Sequence, residues 1–267
     1  MPALNATNGP TAPARRVVLL GASNLTKGIG TVLETAGRVW NEPLEVHVAL
    51  GHGRSYGRST RIMGVGLPGI AHCGLWQNLT SASRLPTAAL ITDIGNDLLY
   101  EEPVDRIVGW LESCLDRLAA AEAKITITRL PVANVQKLSP AKFKLMRTIL
   151  YPYSRITLTE ITQRAIALDE HVARIASERR LAVVSHQSHW YSYDPIHIRF
   201  TRRGEAWRDI LGAWTEAGCS LSPGGNALFR TLHVRTRTPH ERRLLFLAQR
   251  RAQPAARFRD GTSVSLY

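Results

Sequence analysis

The sequence predicts an open α/β sheet of about five parallel strands covered by helices on both faces, a three-layer α/β/α sandwich of flavodoxin-like type. Three observations carry this. Short runs rich in β-branched residues recur along the chain, and each is apolar on both faces, as buried parallel strands are. Amphipathic stretches of helical period separate them. Polar residues suited to chemistry gather just past the runs, where open α/β sheets bind ligands.

The strand candidates are "RVVLLG" (16–21), "LEVHVALG" (44–51), "TAALITDIG" (87–95), "KITITRLPV" (124–132) and "LAVVSH" (181–186). Among the helices, "PVDRIVGWLESCLDRLAAAEAK" starts with Pro103 at a first-turn position and sets Val104, Ile107, Val108, Leu111, Leu115 and Leu118 on one face. "ITLTEITQRAIALDEHVARIASERR" repeats the spacing through Leu158, Ile161, Ala165, Leu168, Val172 and Ile175. "TRRGEAWRDILGAWTEAG" opens on Thr201 as the expected N-cap, stripes Trp207, Ile210, Leu211 and Trp214, and closes on Gly218. Residues 133–155 break the rhythm. Their "SPAKFKLMRTILYPY" predicts a short helix capped by Ser139 with Pro140 in its first turn, placed to roof a pocket.

The 267 residues suffice for one domain with a substantial core plus an extension. Residues 1–15 are polar and proline-rich and read as a flexible leader without the apolar middle of a secretory signal, so the expected location is cytoplasmic. No apolar run approaches the roughly 18 residues that span a bilayer. Cys73, Cys114 and Cys219 share no metal-ligand spacing and are expected to pack in the core. The domain is expected over 16–217, with a basic C-terminal extension over 218–267.

The net charge is +13, and its distribution is uneven. Between Leu228 and Asp260 nine arginines face only Glu241 and Asp260. Such a stretch is either a solvated face or a site for an anionic partner: a polyanion, a membrane surface or an acidic subunit. Within it, "RRLLFLAQRR" sets Leu244, Leu245, Phe246 and Leu247 between arginine pairs, an apolar run expected to dock on the domain or on a second copy of the chain.

Several turns compete for the chemistry. In "VVLLGASNLTKGI", Thr26 precedes Lys27 and Gly28 follows it, so the glycine and hydroxyl of a Walker loop are both missing. "GHGRSYG" (51–57) has glycines after a strand but no acidic residue about twenty positions on to hold a ribose. Its Gly53-Arg54-Ser55-Tyr56-Gly57 also matches the GxSxG nucleophile elbow. Only two strands precede Ser55, and the glycine-rich "RSTRIMGVGLPG" after it does not suit the tight helix of an elbow. Ser23 is the other candidate nucleophile. "DIGNDLLY" puts Gly95, Asn96 and Asp97 past the third strand, and "SYDPIHIRFT" puts Asp194 and His197 after the fifth.

In that order, these clusters resemble the SGNH (GDSL-type) hydrolases over residues 16–217. The first block falls on Gly21-Ala22-Ser23, the second on Gly53 (with Gly51 possible), the third, GxND, on Gly95, Asn96 and Asp97, and the fifth, DxxH, on Asp194-Pro195-Ile196-His197. The resemblance implies a three-layer hydrolase fold and a serine esterase with no metal or organic cofactor. Ser23 would be the nucleophile, His197 its base and Asp194 the partner of the imidazole. The Ser23 N–H, the Gly53 N–H and the Asn96 amide would form the oxyanion hole. One departure is Ala22, where the family usually carries an Asp that supports the turn. The expected substrate is a small carboxylic ester, of short acyl chain, or a thioester. "FKLMRTILYPY" and "RIMGVGLPGIAHCGLW" are apolar enough to wall an acyl pocket. The alternatives are an acyl- or carbohydrate-binding protein on a degenerate SGNH fold, or a basic interaction protein acting through its tail. Nucleic acid is not an expected partner; an anionic partner or a homo-oligomer through 219–267 is.

Overall fold

The computed structural model describes residues 12–62, 64–192, 194–215 and 226–267. The apolar runs form strands because their β-branched side chains pack on both faces of a pleat. Strand β1 (Arg15–Leu20) leads through α1 (Ser23–Trp40) to β2 (Leu44–Ala49). A hairpin of β3 (Thr60–Ile62) and β4 (Val65–Leu67) follows, then α2 (Leu75–Ser81), β5 (Thr87–Ile91), α3 (Asn96–Leu99) and α4 (Val104–Ala120). Next come β6 (Lys124–Thr128), α5 (Val132–Gln136), α6 (Pro140–Leu150), α7 (Leu158–Glu178), β7 (Ala182–Val184) and α8 (Arg203–Gly212). The C-terminal stretch supplies α9 (Ala227–Arg235), β8 (Glu241–Leu244), β9 (Leu247–Arg250), β10 (Ala256–Arg257) and β11 (Ser263–Leu266).

The main sheet runs β10-β11-β2-β1-β5-β6-β7. All neighbours are parallel except the β10–β11 pair. The run β2-β1-β5-β6-β7 holds the five predicted strands, in a flavodoxin-like order that reverses between β1 and β5. Alternate side chains of β1 enter opposite cores. Val18 and Leu20 join α4 and α7 through Leu111, Leu115, Leu168 and Val172. Val17 and Leu19 join α1, α8 and α9 through Ile29, Trp207 and Val234. The sheet is thereby covered on both faces.

The C-terminal stretch differs from expectation. It does not stay outside the sheet: Ser263–Leu266 pairs in parallel with β2, and α9 packs on α1, where the Gly30 N–H donates to Thr231 Oγ1 at 3.1 Å. The sheet therefore has seven strands, two of them from the C-terminal stretch. The "RRLLFLAQRR" run forms the β8–β9 hairpin, which extends β3–β4 into a second, four-stranded sheet. Smaller corrections concern caps. Pro103 is the N-cap of α4 rather than a residue of its first turn. The last predicted helix begins after a 3-10 turn over Phe200–Arg202, so Arg202 and not Thr201 occupies the N-cap. It ends at Gly212, and Gly218 and Cys219 lie outside the described residues. Cys73 and Cys114 are buried thiols, while Ser139 caps α6 by accepting from the Lys142 N–H. Among the described residues, no helix is long and apolar enough to cross a membrane.

Candidate active site

The site lies at the carboxyl ends of β1 and β5, where the strand order reverses. β1 ends at Gly21, where a Cβ would come 2.7 Å from the Thr92 side chain, so the close pass of the two strand ends needs glycine. Ala22 precedes α1 and offers no side-chain cap. Asp93, past the end of β5 with φ +59°, supplies the missing carboxylate. Its Oδ2 accepts from the N–H groups of Ala22 (2.8 Å), Asn24 (3.0 Å) and Leu25 (3.2 Å). A carboxylate there satisfies orphan donors of the helix start and lies favourably in the helix dipole. The Ser23 N–H is left without a hydrogen-bond partner among the described residues, at the positive end of α1.

The segment carrying Asp194 and His197 is fastened to the same turn by Asn24. The Asn24 Nδ2 donates to Asp93 Oδ1 and to the Ile196 carbonyl, both at 2.8 Å, and its Oδ1 accepts from the Ile198 N–H at 2.8 Å. His197 is thus clamped on both sides. Its Nε2 lies 2.9 Å from Ser23 Oγ and its Nδ1 lies 2.5 Å from Asp194 Oδ2. Asp194 Oδ1 also accepts from the Ile196 and His197 N–H groups at 3.2 Å. Burial pulls the Asp194 carboxyl upward, but its bonds to His197, the charge of that ring and the two N–H donors outweigh it and leave the group below the ordinary carboxylate value. Asp194 is therefore an anion beside an imidazole, and the imidazole faces a hydroxyl. This arrangement can take a proton from Ser23 Oγ and stabilise the resulting imidazolium.

Gly53 and Asn96 stand on two loops tied together. Gly53 has φ +58°, a conformation that favours glycine. Its carbonyl accepts from Tyr100 Oη at 2.6 Å, and the Asn96 amide makes only a 3.4 Å contact with the Arg54 carbonyl. Gly95 directly precedes Asn96, whereas the GxND pattern of the family block has a residue between them. Gly51 instead accepts from the Arg54 N–H in the same turn. Next to Gly53, burial lowers the His52 pKa, helped by the positive charges of Arg235, Lys27 and His197.

Ser55 is differently placed. It is fully buried, and its hydroxyl donates to Asp97 Oδ1 while accepting from the Gly57 (3.0 Å) and Arg58 (2.7 Å) N–H groups. Burial raises Asp97 to about 6 against the opposing bonds from Ser55 and the Tyr56 N–H. Of the other histidines near the fifth predicted strand, His186 bonds Tyr191 Oη at 2.6 Å and His189 bonds Glu205 at 2.5 Å. Burial lowers His186 to about 4, so its ring is neutral near pH 7.

A cavity of about 90 Å³ opens beside Ser23 and Asn96, walled by Leu98, Leu130, Val135 and Ile161. A smaller apolar cavity shares Leu99, Val135, Ile161 and Ile196 with it and continues beneath α6 through Phe143 and Met146. The predicted roof over 133–155 is therefore present. The described residues of "RIMGVGLPGIAHCGLW" do not line this cavity; its Gly66, Leu67 and Pro68 line a different cleft. Among the described residues, no three His, Cys, Asp or Glu side chains converge as a metal site. Sequence reasoning missed Asp93 and Asn24. Both lie inside motifs it singled out, as the acid at a strand end and the polar residue after Ser23.

No protein-family model matches the chain, and no curated protein sequence does. The chain is similar to solved esterase structures at low identity. One is the psychrotrophic esterase EstA of Pseudoalteromonas sp., in a structure inhibited by monoethylphosphonate: 15% identity over 73% of this chain and 94% of that one, TM-score 0.46. A carbohydrate acetylesterase family member from Sinorhizobium meliloti gives 13% identity over 73% and 95%, TM-score 0.48. The aryl esterase of M. smegmatis gives 14% over 74% and 95%, TM-score 0.48.

Proposed function

We propose that this chain is a serine esterase of the SGNH (GDSL-type) hydrolase family, with Ser23 as nucleophile, His197 as general base and acid, and Asp194 as the group that orients and stabilises the imidazole. One observation carries the reading: Ser23 Oγ, His197 and Asp194 form a continuous hydrogen-bonded chain at 2.9 and 2.5 Å at the switch point of the sheet.

In the reaction, Ser23 Oγ attacks the ester carbonyl carbon as its proton passes to His197 Nε2. The carbonyl π pair moves onto oxygen, and the oxyanion is held by the Ser23 N–H, the Gly53 N–H and the Asn96 amide. Among the described residues, none of these donors has a short competing bond, which supports the assignment. Each is worth about 3–4 kcal/mol in a transition state of this type. Collapse breaks the bond to the alcohol oxygen, which leaves with the proton from His197. Water, deprotonated by the same imidazole, then cleaves the acyl-enzyme to acid and free serine. The apolar walls Leu130, Val135 and Ile161 fit a short acyl group.

A fluorophosphonate probe and a panel of esters of graded acyl length test this. Wild type should be labelled and should hydrolyse short acyl esters, and Ser23→Ala should do neither. Labelling that survives Ser23→Ala would move the nucleophile elsewhere, with Ser55→Ala as the next variant to read.

A further inference from the structure

The four-stranded sheet β3-β4-β8-β9 takes no part in the hydrogen bonds at Ser23, and its outer hairpin breaks a local rule. Leu245 and Phe246 form the two-residue turn between β8 and β9. Such turns favour Asn, Asp or Gly because φ becomes positive. Here Leu245 holds φ +55°, a strained state for a branched side chain. Its N–H donates to the Gly64 carbonyl at 2.9 Å, which ties the tip to the β3–β4 hairpin. The apolar tip faces outward: Leu245 is 62%, Phe246 89% and Leu247 71% exposed.

Arginines stand directly behind it. Arg61, Arg242, Arg243 and Arg250 line one cleft of about 470 Å³. Arg61 lies over the Phe246 ring at 5.7 Å, and Arg242 donates to Gln249 Oε1 at 2.8 Å. Among the described residues that line the cleft the only carboxylate is Glu241, which accepts from the Gly74 N–H at 3.0 Å. None of the four arginines pairs with a carboxylate among the described residues. The cleft therefore presents unneutralised positive charge beside an exposed apolar point.

We infer that this hairpin docks the protein on an anionic phospholipid bilayer, with Leu245, Phe246 and Leu247 entering the headgroup–acyl boundary and the arginine cleft receiving lipid phosphates. Both halves of the feature are then used: apolar area enters the interface while basic side chains meet the negative surface. A stable protein partner would require roughly 800 Å² per side, far more than a convex two-residue turn offers. A nucleic acid would match the arginines but leave the leucines in water. The docking element abuts the loop of Gly53, because a Cβ on that glycine would come 3.2 Å from Ile62 of β3. The inference is independent of which serine is the nucleophile.

Co-sedimentation of the full chain with vesicles tests it, using phosphatidylcholine alone and phosphatidylcholine mixed with phosphatidylglycerol. Wild type should bind the mixed vesicles roughly tenfold more tightly than the neutral ones, and added salt should weaken that binding. Leu245→Gly combined with Phe246→Asn suits a turn whose first central residue alone has positive φ, so its thermal melt should be at least that of wild type. It should lose about tenfold or more of vesicle binding. Arg242→Gln, Arg243→Gln and Arg250→Gln together should reduce binding on mixed vesicles to the level seen on neutral ones. Equal vesicle binding by the tip variant and wild type overturns the proposal. So does heparin binding that exceeds vesicle binding and survives the tip change, which would make the partner a soluble polyanion. A wild-type dimer without vesicles that the tip variant converts to monomer would make the hairpin a contact between copies instead.

Discussion

Ser23 and Ser55 each stand two residues after a glycine beyond a parallel strand, and both are buried, Ser23 at 8% and Ser55 at 0% exposure. Their hydroxyls are used in opposite ways. The Ser55 hydroxyl donates to Asp97 and accepts two backbone N–H bonds, so every capacity it has is spent inside the protein. Among the described residues the Ser23 hydroxyl meets only an imidazole, whose far nitrogen meets a carboxylate, and a cavity opens beside it. The motif around Ser55 is the more familiar in sequence. What separates the two serines is the partner that faces each hydroxyl: an acceptor already fixed as structure, or a base with a proton to take.

The largest effects should fall on Ser23 and His197. Either one changed to Ala should lower turnover of a small ester by roughly four orders of magnitude, with little change in the melting temperature. Turnover that survives in His197→Ala would transfer the base to His186 or His189.

Asn96→Ala should lower kcat by about a hundredfold with a much smaller change in KM, because its amide would bind charge that exists only in the transition state. A change confined to KM would make Asn96 a ground-state contact. Asn24→Ala removes the clamp between α1 and residues 196–198 and should cost roughly tenfold or more in kcat through a misplaced imidazole. Probe labelling should slow in step, whereas a purely structural role would lower only the melting temperature.

Ser55→Ala should do the converse of Ser23→Ala. It leaves Asp97 and two backbone N–H groups short of a partner, at a cost of about 1–3 kcal/mol of stability, while activity stays within about tenfold of wild type. Loss of labelling in a folded Ser55→Ala protein would invert the comparison. The smallest effect is electrostatic. Asp97 is raised by burial from 3.8 to about 6, so the folded state binds its proton more tightly than the unfolded chain does. Its stabilising contribution is full below about pH 4 and lost as pH rises through about 6. The stability difference between wild type and Asp97→Asn should therefore shift against wild type across that window, by on the order of 2 kcal/mol. Denaturant melts of the pair at matched pH values measure it, and parallel curves would mean that Asp97 is ionised throughout.

The five predicted strands and the two long helices α4 and α7 were legible because their information is local. Runs such as "VVLL" and "AALI" need no distant partner to be recognised as buried strands, and the α7 capping box lies within three residues, Thr157 to Glu160. The placing of Ser23, Asn96, Asp194 and His197 past strand ends follows from the same reading, since chain order and strand polarity bring such positions to one edge of a parallel sheet. Other features depend on contacts between distant parts of the chain. Ser263–Leu266 is four residues long, and only pairing with β2 makes it a strand of the main sheet. Asp93 takes up the turn where Ala22 has no side-chain acceptor, across 71 residues. Asn24 fastens a segment 172 residues away. Local periodicity is a property of neighbours in sequence, so composition and spacing determined the layers and the candidate chemistry. Which carboxylate meets which N–H, and which serine meets the histidine, was decided only when the sheet brought those strand ends together.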